Sequence, residues 1–373
     1  MTTPQSAYQM RLPDGRTVWI VEGYDLARQT LTDSRLSNDT ARMGPMAPLA
    51  ALPDEVKDAV SSDMLNTDPP RHTQLRALLA HTFTGRRVNS MRPMIERVAS
   101  TLLDELGDGA VVDLIERFAG PLPTAVLAEL IGIPTQDCAD VRRWSDTFVS
   151  ELLLVSDTLL ASTTSLLDYA LDLVRRRRAE PRDDLVTRLL SSGVDDHVLS
   201  SIVFVLLIAG QTATTQLIAK GGYLLLAHQG QLDKVRADPT LIAGAVDECL
   251  RHEPPLQVSA FRMATTDLVL GDTVIPAGDV VLCSLASANR DEARFTEAQR
   301  FDVCRPDNQH LAFGHGIHRC LGANLAKLEA EVAFSALLTR FDVEFAVPAR
   351  ELRWTQVGIM RKITALPVRL TSQ

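Results

Sequence analysis

Phe313-Gly-His-Gly-Ile-His-Arg-Cys-Leu-Gly322 is the stretch from which the rest of the chain is read. Gly314 and Gly316 let the main chain turn tightly or come close to a bulky ligand. Cys320 stands just ahead of a segment, about Leu321 to Arg340, that reads as a helix. A helix N-terminus favours thiolate, so this loop is suited to offering one sulfur to a metal from one side. Taken alone, it admits two plainer readings. Cys320 could be an inert buried thiol in a turn. His315, His318 and Cys320 could instead be three ligands of a zinc ion, with a fourth from elsewhere, although zinc ligation leaves the glycines unexplained.

Upstream, a long segment from about His197 to His228 is apolar nearly all round at its centre. Unbroken, it would span on the order of 45 Å at ~1.5 Å per residue, and its composition sends it through the middle of the protein. Met91 to Leu106 places Met94, Ile95, Val98, Leu102, Leu103 and Leu106 at helical spacing. Asp140 to Arg178 continues in that style. It ends in the basic run Arg175 to Arg178, read as a solvated helix end, and Pro181 stops it. After Pro254 the character changes. Leu268 to Leu282 reads as short strands turning at Gly271-Asp272 and Ala277-Gly278, and Phe341 to Leu370 has strand character again. The expected fold is mainly α with a minor β portion. A prior of ~150 residues per domain allows two or three domains, but no linker, repeat or low-complexity tract divides the 373 residues. One domain over 1–373 is expected, with residues 1–8 disordered.

Lysine and arginine total 38 against 47 aspartate and glutamate, a net charge of −9. Such an acidic chain is a poor match for nucleic acid or an anionic membrane. The opening MTTPQSAYQM lacks the basic and apolar regions of a leader. The apolar run Ile202 to Gly210 falls short of the ~20 residues that cross a bilayer. A cytoplasmic protein with no nucleic-acid or membrane partner is expected. The five cysteines (Cys138, Cys249, Cys283, Cys304 and Cys320) are odd in number and show no C-x-x-C spacing, which argues against a disulfide framework.

Phe313 to Cys320, continued by Gly322 and Leu325-Ala326-Lys327, resembles the haem-binding signature of the cytochrome P450 family, Phe-Gly-x-Gly-x-His-x-Cys-x-Gly, at every fixed position. The resemblance implies the cytochrome P450 fold, haem b (iron protoporphyrin IX) as cofactor, and Cys320 as the proximal thiolate ligand of its iron. Phe313 would pack near the sulfur, and main-chain N–H groups after Cys320, toward Gly322, would tune its potential. Glu248-Cys-Leu-Arg251 is similar to the family's Glu-x-x-Arg, whose charges face each other at i, i+3. Arg300, in Gln299-Arg-Phe301, is similar to the downstream arginine that joins that pair. All three are expected to support the haem loop structurally. The implied cationic partners of the two haem propionates are His72 and Arg76, one turn apart in Asp68-Pro-Pro-Arg-His-Thr-Gln-Leu-Arg76, together with Arg262 and His318. Arginine suits a carboxylate because its fork can bond both oxygens.

Leu206-Leu-Ile-Ala-Gly-Gln-Thr-Ala-Thr-Thr215 is similar to the family's oxygen-side helix, in which Ala-Gly is followed by any residue, an acid and a threonine. Here Thr212 falls where the acid is usual and Ala213 where the alcohol is usual. Thr214 lies one residue on, about 100° around a regular helix, and reaches the same place only if the helix is locally distorted. Gly210 is expected to leave room for dioxygen. Protons are expected to arrive through ordered water held by Thr212 or Thr214, or from a substrate hydroxyl.

The implied activity is haem-thiolate monooxygenation: activation of O2 to hydroxylate or otherwise oxidise a small apolar or amphipathic organic molecule, expected in specialised metabolism. Two alternatives stand beside it. One is oxidative carbon–carbon or carbon–nitrogen coupling or cyclisation without oxygen insertion. The other is a non-catalytic haem sensor or carrier that has lost oxygen activation at Ala213. The substrate pocket is expected from Met64 and Leu65, from Val205, Ile208 and Ala209, from Val258 and Phe261, and from Ile359, under a mobile lid formed by the helices between Trp144 and Val174. The chain has no flavin fingerprint, no four-cysteine cluster motif and no dinucleotide motif. Its electrons are therefore expected from a ferredoxin and an NAD(P)H-dependent ferredoxin reductase, docking on Arg71, Arg86, Arg87, Arg319 and Lys327.

Overall fold

A computed structural model of the protein describes residues 6–154 and 156–373. Helix makes up 53% and strand 13%, the mainly α architecture that the periodicities predict. The helices that frame the site are α1 (Arg71–Ala80), α2 (Arg92–Asp104), α3 (Pro121–Ile131), α4 (Cys138–Glu151), α5 (Asp157–Ala179), α6 (Asp196–Ala209), α7 (Thr212–Ala227), α8 (Ile242–His252) and α9 (Ala323–Arg340). The spacing read between Met91 and Leu106 becomes α2, which buries Ile95, Ala99 and Leu103 on one face and packs on α9.

The stretch 140–178 is two helices. The hydroxyl of Ser156 accepts a hydrogen bond from the N–H of Leu159 at 3.0 Å and so starts α5 afresh. The basic run at its end is not wholly solvated. Arg177 is buried and bound to Asp184 and to the carbonyl of Gly132.

Residues 196–227 are long and apolar enough to cross a bilayer by length and composition, but 72% of their most apolar window lies inside the fold. This segment also does not form one regular helix. It breaks at Gly210 and Gln211, where the backbone of Gln211 takes φ −122° and ψ −70°. Two side-chain contacts explain the place. A Cβ on Gly210 would lie 2.9 Å from the carbonyl oxygen of Leu206 and 3.1 Å from Cδ1 of Leu127 on α3. Gln211 donates to the carbonyl of Leu207 at 2.6 Å and accepts from the hydroxyl of Thr124 at 2.9 Å, occupying polar groups that the interrupted helix frees.

The strands are β1 (Ala7–Arg11), β2 (Thr17–Val21), β3 (Leu36–Ser37), β4 (Val111–Asp113), β5 (Arg262–Ala264), β6 (Leu268–Leu270), β7 (Thr273–Ile275), β8 (Val280–Cys283), β9 (Phe341–Phe345), β10 (Trp354–Val357), β11 (Met360–Ile363) and β12 (Pro367–Ser372). One sheet runs β1-β2-β8-β5-β3, with β2 and β8 parallel; another runs β4-β12-β9; β6-β7 and β10-β11 are hairpins. The turns expected at Gly271-Asp272 and Ala277-Gly278 separate β6, β7 and β8. Ala7 and Tyr8 pair with Val21 and Ile20, which corrects the expected disorder over 1–8 at that end; residues 1–5 lie outside the described residues. A core of buried apolar residues from α2, α3, α5, α6, α7 and α9 surrounds the helix break.

Candidate active site

The N–H of Cys320 donates to the carbonyl of Phe313 at 2.8 Å and closes the loop ahead of α9. Gly314 and Gly316 sit at φ 69° and 77°, a left-handed region that side chains disfavour. A Cβ on Gly316 would also lie 2.9 Å from the carbonyl oxygen of Leu31. Backbone geometry thus accounts for both glycines. Burial pushes the Cys320 thiol above its ordinary value, opposed by the N–H of Gly322 and by the charges of Arg319 and Arg76. Ligation to a metal would remove that proton. Among the described residues no three His, Cys, Asp or Glu side chains converge as a metal site, so the zinc trio of His315, His318 and Cys320 does not assemble.

Cys320 opens into a cavity of about 1280 Å³. Phe313, His318, Cys320 and Gly322 lie on one side of it, and Arg76 and Arg262 line it as well. His72 does not line the cavity; its ring packs against that of His318 with centroids 4.3 Å apart. Arg76 donates to the carbonyl of Arg319 at 2.6 Å. Nε of Arg262 and both ring nitrogens of His72 are buried with no partner in hydrogen-bonding geometry. Unmatched buried donors are costly, and here they cluster beside a cavity with one thiol. Burial and the neighbouring His72 and Arg262 push His318 down to about 3. Burial and Arg76 likewise lower His72. Of the acidic residues, Asp68 acts on His72, Arg262 and His318, opposing these shifts without cancelling them. These residues fit a metal-bearing group that carries two carboxylates, as haem does.

The helix break contributes a further part of the lining. Gly210, Thr212, Ala213 and Thr214 all line the cavity around the break. Gly210 lines the cavity beside the threonines and also faces α3. A Cβ there would meet Leu127 at 3.1 Å, so the glycine also allows close packing of α3 against the break. Met64, Leu65, Val205, Ile208, Ala209, Phe261 and Ile359 also line the cavity. Val258 does not. Its strand-like segment bridges to Ser284, and its side chain joins the small cluster that includes Val280 and Leu282.

Glu248 and Arg251 are fully buried and joined by two 2.8 Å hydrogen bonds. The arginine that completes them is Arg305, whose Nε lies 3.1 Å from Glu248. Arg300 is not that residue. Its side chain is 52% exposed and pairs with Glu297, and only its carbonyl reaches the cluster, accepting from Arg251 at 3.0 Å. Lys327 is likewise no free docking cation, because Asp247 takes its ammonium at 2.7 Å. Arg71, Arg86, Arg87 and Arg319 are exposed.

Sequence reasoning missed three residues besides. Glu329 on α9 lines the cavity, and burial pushes its carboxyl up to about 8, so it is neutral at pH 7. An acid on the buried face of an apolar helix was its only signal. Asp146 on α4 accepts from the hydroxyl of Thr212 at 2.9 Å; nothing local marks it. Arg305 was hidden by the choice between two nearby arginines.

Residues 167–364 match the family model for cytochrome P450. The chain is 40% identical over 372 residues to the 6-deoxyerythronolide B hydroxylase of Saccharopolyspora erythraea, covering 95% of this chain and 91% of that protein. It is 41% identical over 375 residues to the cytochrome P450 monooxygenase PikC of Streptomyces venezuelae, covering 97% and 88%. Its fold matches the structure of the tirandamycin C-bound P450 monooxygenase TamI with a TM-score of 0.91 and 39% identity, over 98% of this chain and 94% of that one. Likeness of this degree along nearly the whole length makes the protein a member of the cytochrome P450 family, a haem-iron monooxygenase.

Proposed function

We propose that the protein, acting as one domain, inserts one atom of dioxygen into a bulky, largely apolar product of specialised metabolism, with a polyketide-derived ring or chain as the favoured class. The cavity carries this reading. One volume of about 1280 Å³ takes in both the Cys320 loop and the helix break. It exceeds the ~300–1,000 Å³ of a site for one drug-sized ligand, so a cofactor and a sizeable organic molecule fit together. Its substrate side is apolar, through residues such as Leu65, Val205, Ile208 and Ile359. The hydroxylase of 6-deoxyerythronolide B and the tirandamycin C-bound enzyme support the substrate class.

The cofactor is haem b. When bound it supplies the reductive activation of dioxygen, with electron density pushed from the thiolate. Cys320 holds its iron, and Phe313 and Gly322 flank the sulfur. Arg76 and Arg262 would neutralise its propionates, and His318, backed by His72, would donate a hydrogen bond to them. Glu248, Arg251 and Arg305 brace the loop region from outside the cavity. Phe148 and Val149 of α4 close over the cavity as part of the lid and exclude water. Thr212 and Thr214 hold water on either side of Ala213. Electrons come from a ferredoxin and its NAD(P)H-dependent reductase, which meet the face carrying Arg86, Arg87 and Arg319. The protein works in the cytoplasm.

Incubation with ferredoxin, reductase, NADPH, isotopically labelled dioxygen and a panel of macrolactones and linear polyketides tests this. The expected product carries one labelled oxygen atom. A cyclised or coupled product without label assigns the coupling chemistry instead. A panel that binds and perturbs the haem spectrum, yet is never oxidised, assigns a sensor or carrier.

A further inference from the structure

We propose that Asp146 is the acid that supplies protons to the oxygen side of the cavity, acting through the hydroxyl of Thr212. It stands in for the carboxylate that α6 and α7 do not provide. This proposal rests on the monooxygenase reading above.

Oxygen activation consumes protons, and the helix wall at the break offers only Thr212, Ala213 and Thr214. Alanine cannot carry a proton, and a threonine hydroxyl can only pass one on if something replaces it. Oγ1 of Thr212 lies 2.9 Å from Oδ1 of Asp146. Thr212 is 3% exposed overall and lines the cavity. The Asp146 side chain is 46% exposed. The pair therefore connects solvent at one end to the cavity at the other, through a single hydroxyl. Lys362 of β11 lies 3.9 Å from the same carboxylate oxygen and donates to the hydroxyl of Ser150 on α4 at 3.2 Å. Its ammonium faces the carboxylate from β11.

The transfer balances without moving electrons. Asp146 takes a proton from solvent water. Its carboxyl O–H then donates to Oγ1 of Thr212, whose own O–H turns toward a water in the cavity. The Asp146 O–H bond breaks as a new O–H bond forms on Thr212, and Thr212 releases its former proton to that water. The carboxylate left behind accepts from the threonine again, the arrangement seen in the structure. Asp146 acts through Thr212 and so is a positioning and supplying residue.

A purely structural tie between α4 and α7 makes a different prediction, and Asp146→Asn separates the two. The amide oxygen still accepts from Thr212 and the shape is kept, but the side chain has no carboxyl proton to hand on. Substrate affinity from spectral titration is expected to stay within about twofold of wild type, with kcat alone reduced. Product formed per NADPH is expected to fall by ~10²-fold, the low end for a lost proton donor, and the solvent deuterium isotope effect to rise. Asp146→Glu should restore a large part of both. A readout without turnover accompanies these: the carboxylate stretching band that disappears in Asp146→Asn should shift in Thr212→Val. Unchanged product yield and isotope effect in Asp146→Asn, or a parallel loss of substrate affinity that Asp146→Glu does not repair, would overturn the relay. Labelled oxygen still entering product at wild-type yield in that variant would overturn it while leaving the monooxygenase reading intact.

Discussion

Cys320→Ser is expected to leave a folded protein that has lost the long-wavelength Soret band of its reduced, CO-bound form and all measurable oxygenation. The loop does not need the sulfur for its shape. Its N–H to Phe313 and the left-handed turns at Gly314 and Gly316 are main-chain features. Far-UV circular dichroism should therefore be unchanged. What changes is the ligand. A serine hydroxyl is a far weaker acid than a thiol and stays protonated. It cannot deliver the electron push on which cleavage of the O–O bond depends. The expected fall in product formation reaches the detection limit. A serine variant with the parent's CO spectrum would remove Cys320 from the iron.

Arg251→Ala is expected to destabilise the protein by ~3–5 kcal/mol, because it removes the fully buried, doubly hydrogen-bonded cation beside Glu248 and leaves Arg305 as its remaining charged partner. Glu248 and Arg251 are both 0% exposed. Arg251 also donates to the carbonyls of Asn289 and Ala298 at 2.9 and 2.8 Å, so the loop that leads to residue 313 loses its anchor together with the ion pair. Arg305→Ala should cost less, ~1–3 kcal/mol. Glu248 keeps Arg251, the N–H of Asp302 and Nδ2 of Asn308 at 2.8–3.1 Å. Arg300→Ala should fall within ~0.5 kcal/mol, as surface changes usually do. Urea unfolding midpoints and the fraction of chain retaining haem measure all three. Equal losses for the Arg300 and Arg305 variants would contradict the assignment of Arg305 to the cluster.

The ranking of those two arginines shows where local reading stops. Arg305 contacts a residue 57 positions away. Both arginines lie in one loop, and which of them faces Glu248 depends on how the chain turns after Glu297, a residue held at φ 49°. No spacing rule carries that information. Val258 failed for a related reason. In an extended segment a side chain's side depends on register, and its bridge to Ser284 aims it away from the cavity while Phe261 faces in.

Composition and spacing alone determined the helical body, the small strands and the loop that offers Cys320. These are short-range matters: side chains repeating along one helix face, glycines where a turn forbids Cβ, a cysteine at a set distance from a helix start. Tertiary structure alone decided where the central helix breaks, because the break depends on Leu127 and Thr124 from another helix. It also decided that Thr212 meets a carboxylate 66 residues earlier. Hydrogen bonds and close packing act over a few ångströms in space whatever the distance along the chain, so these pairings exist only once the helices have been brought together.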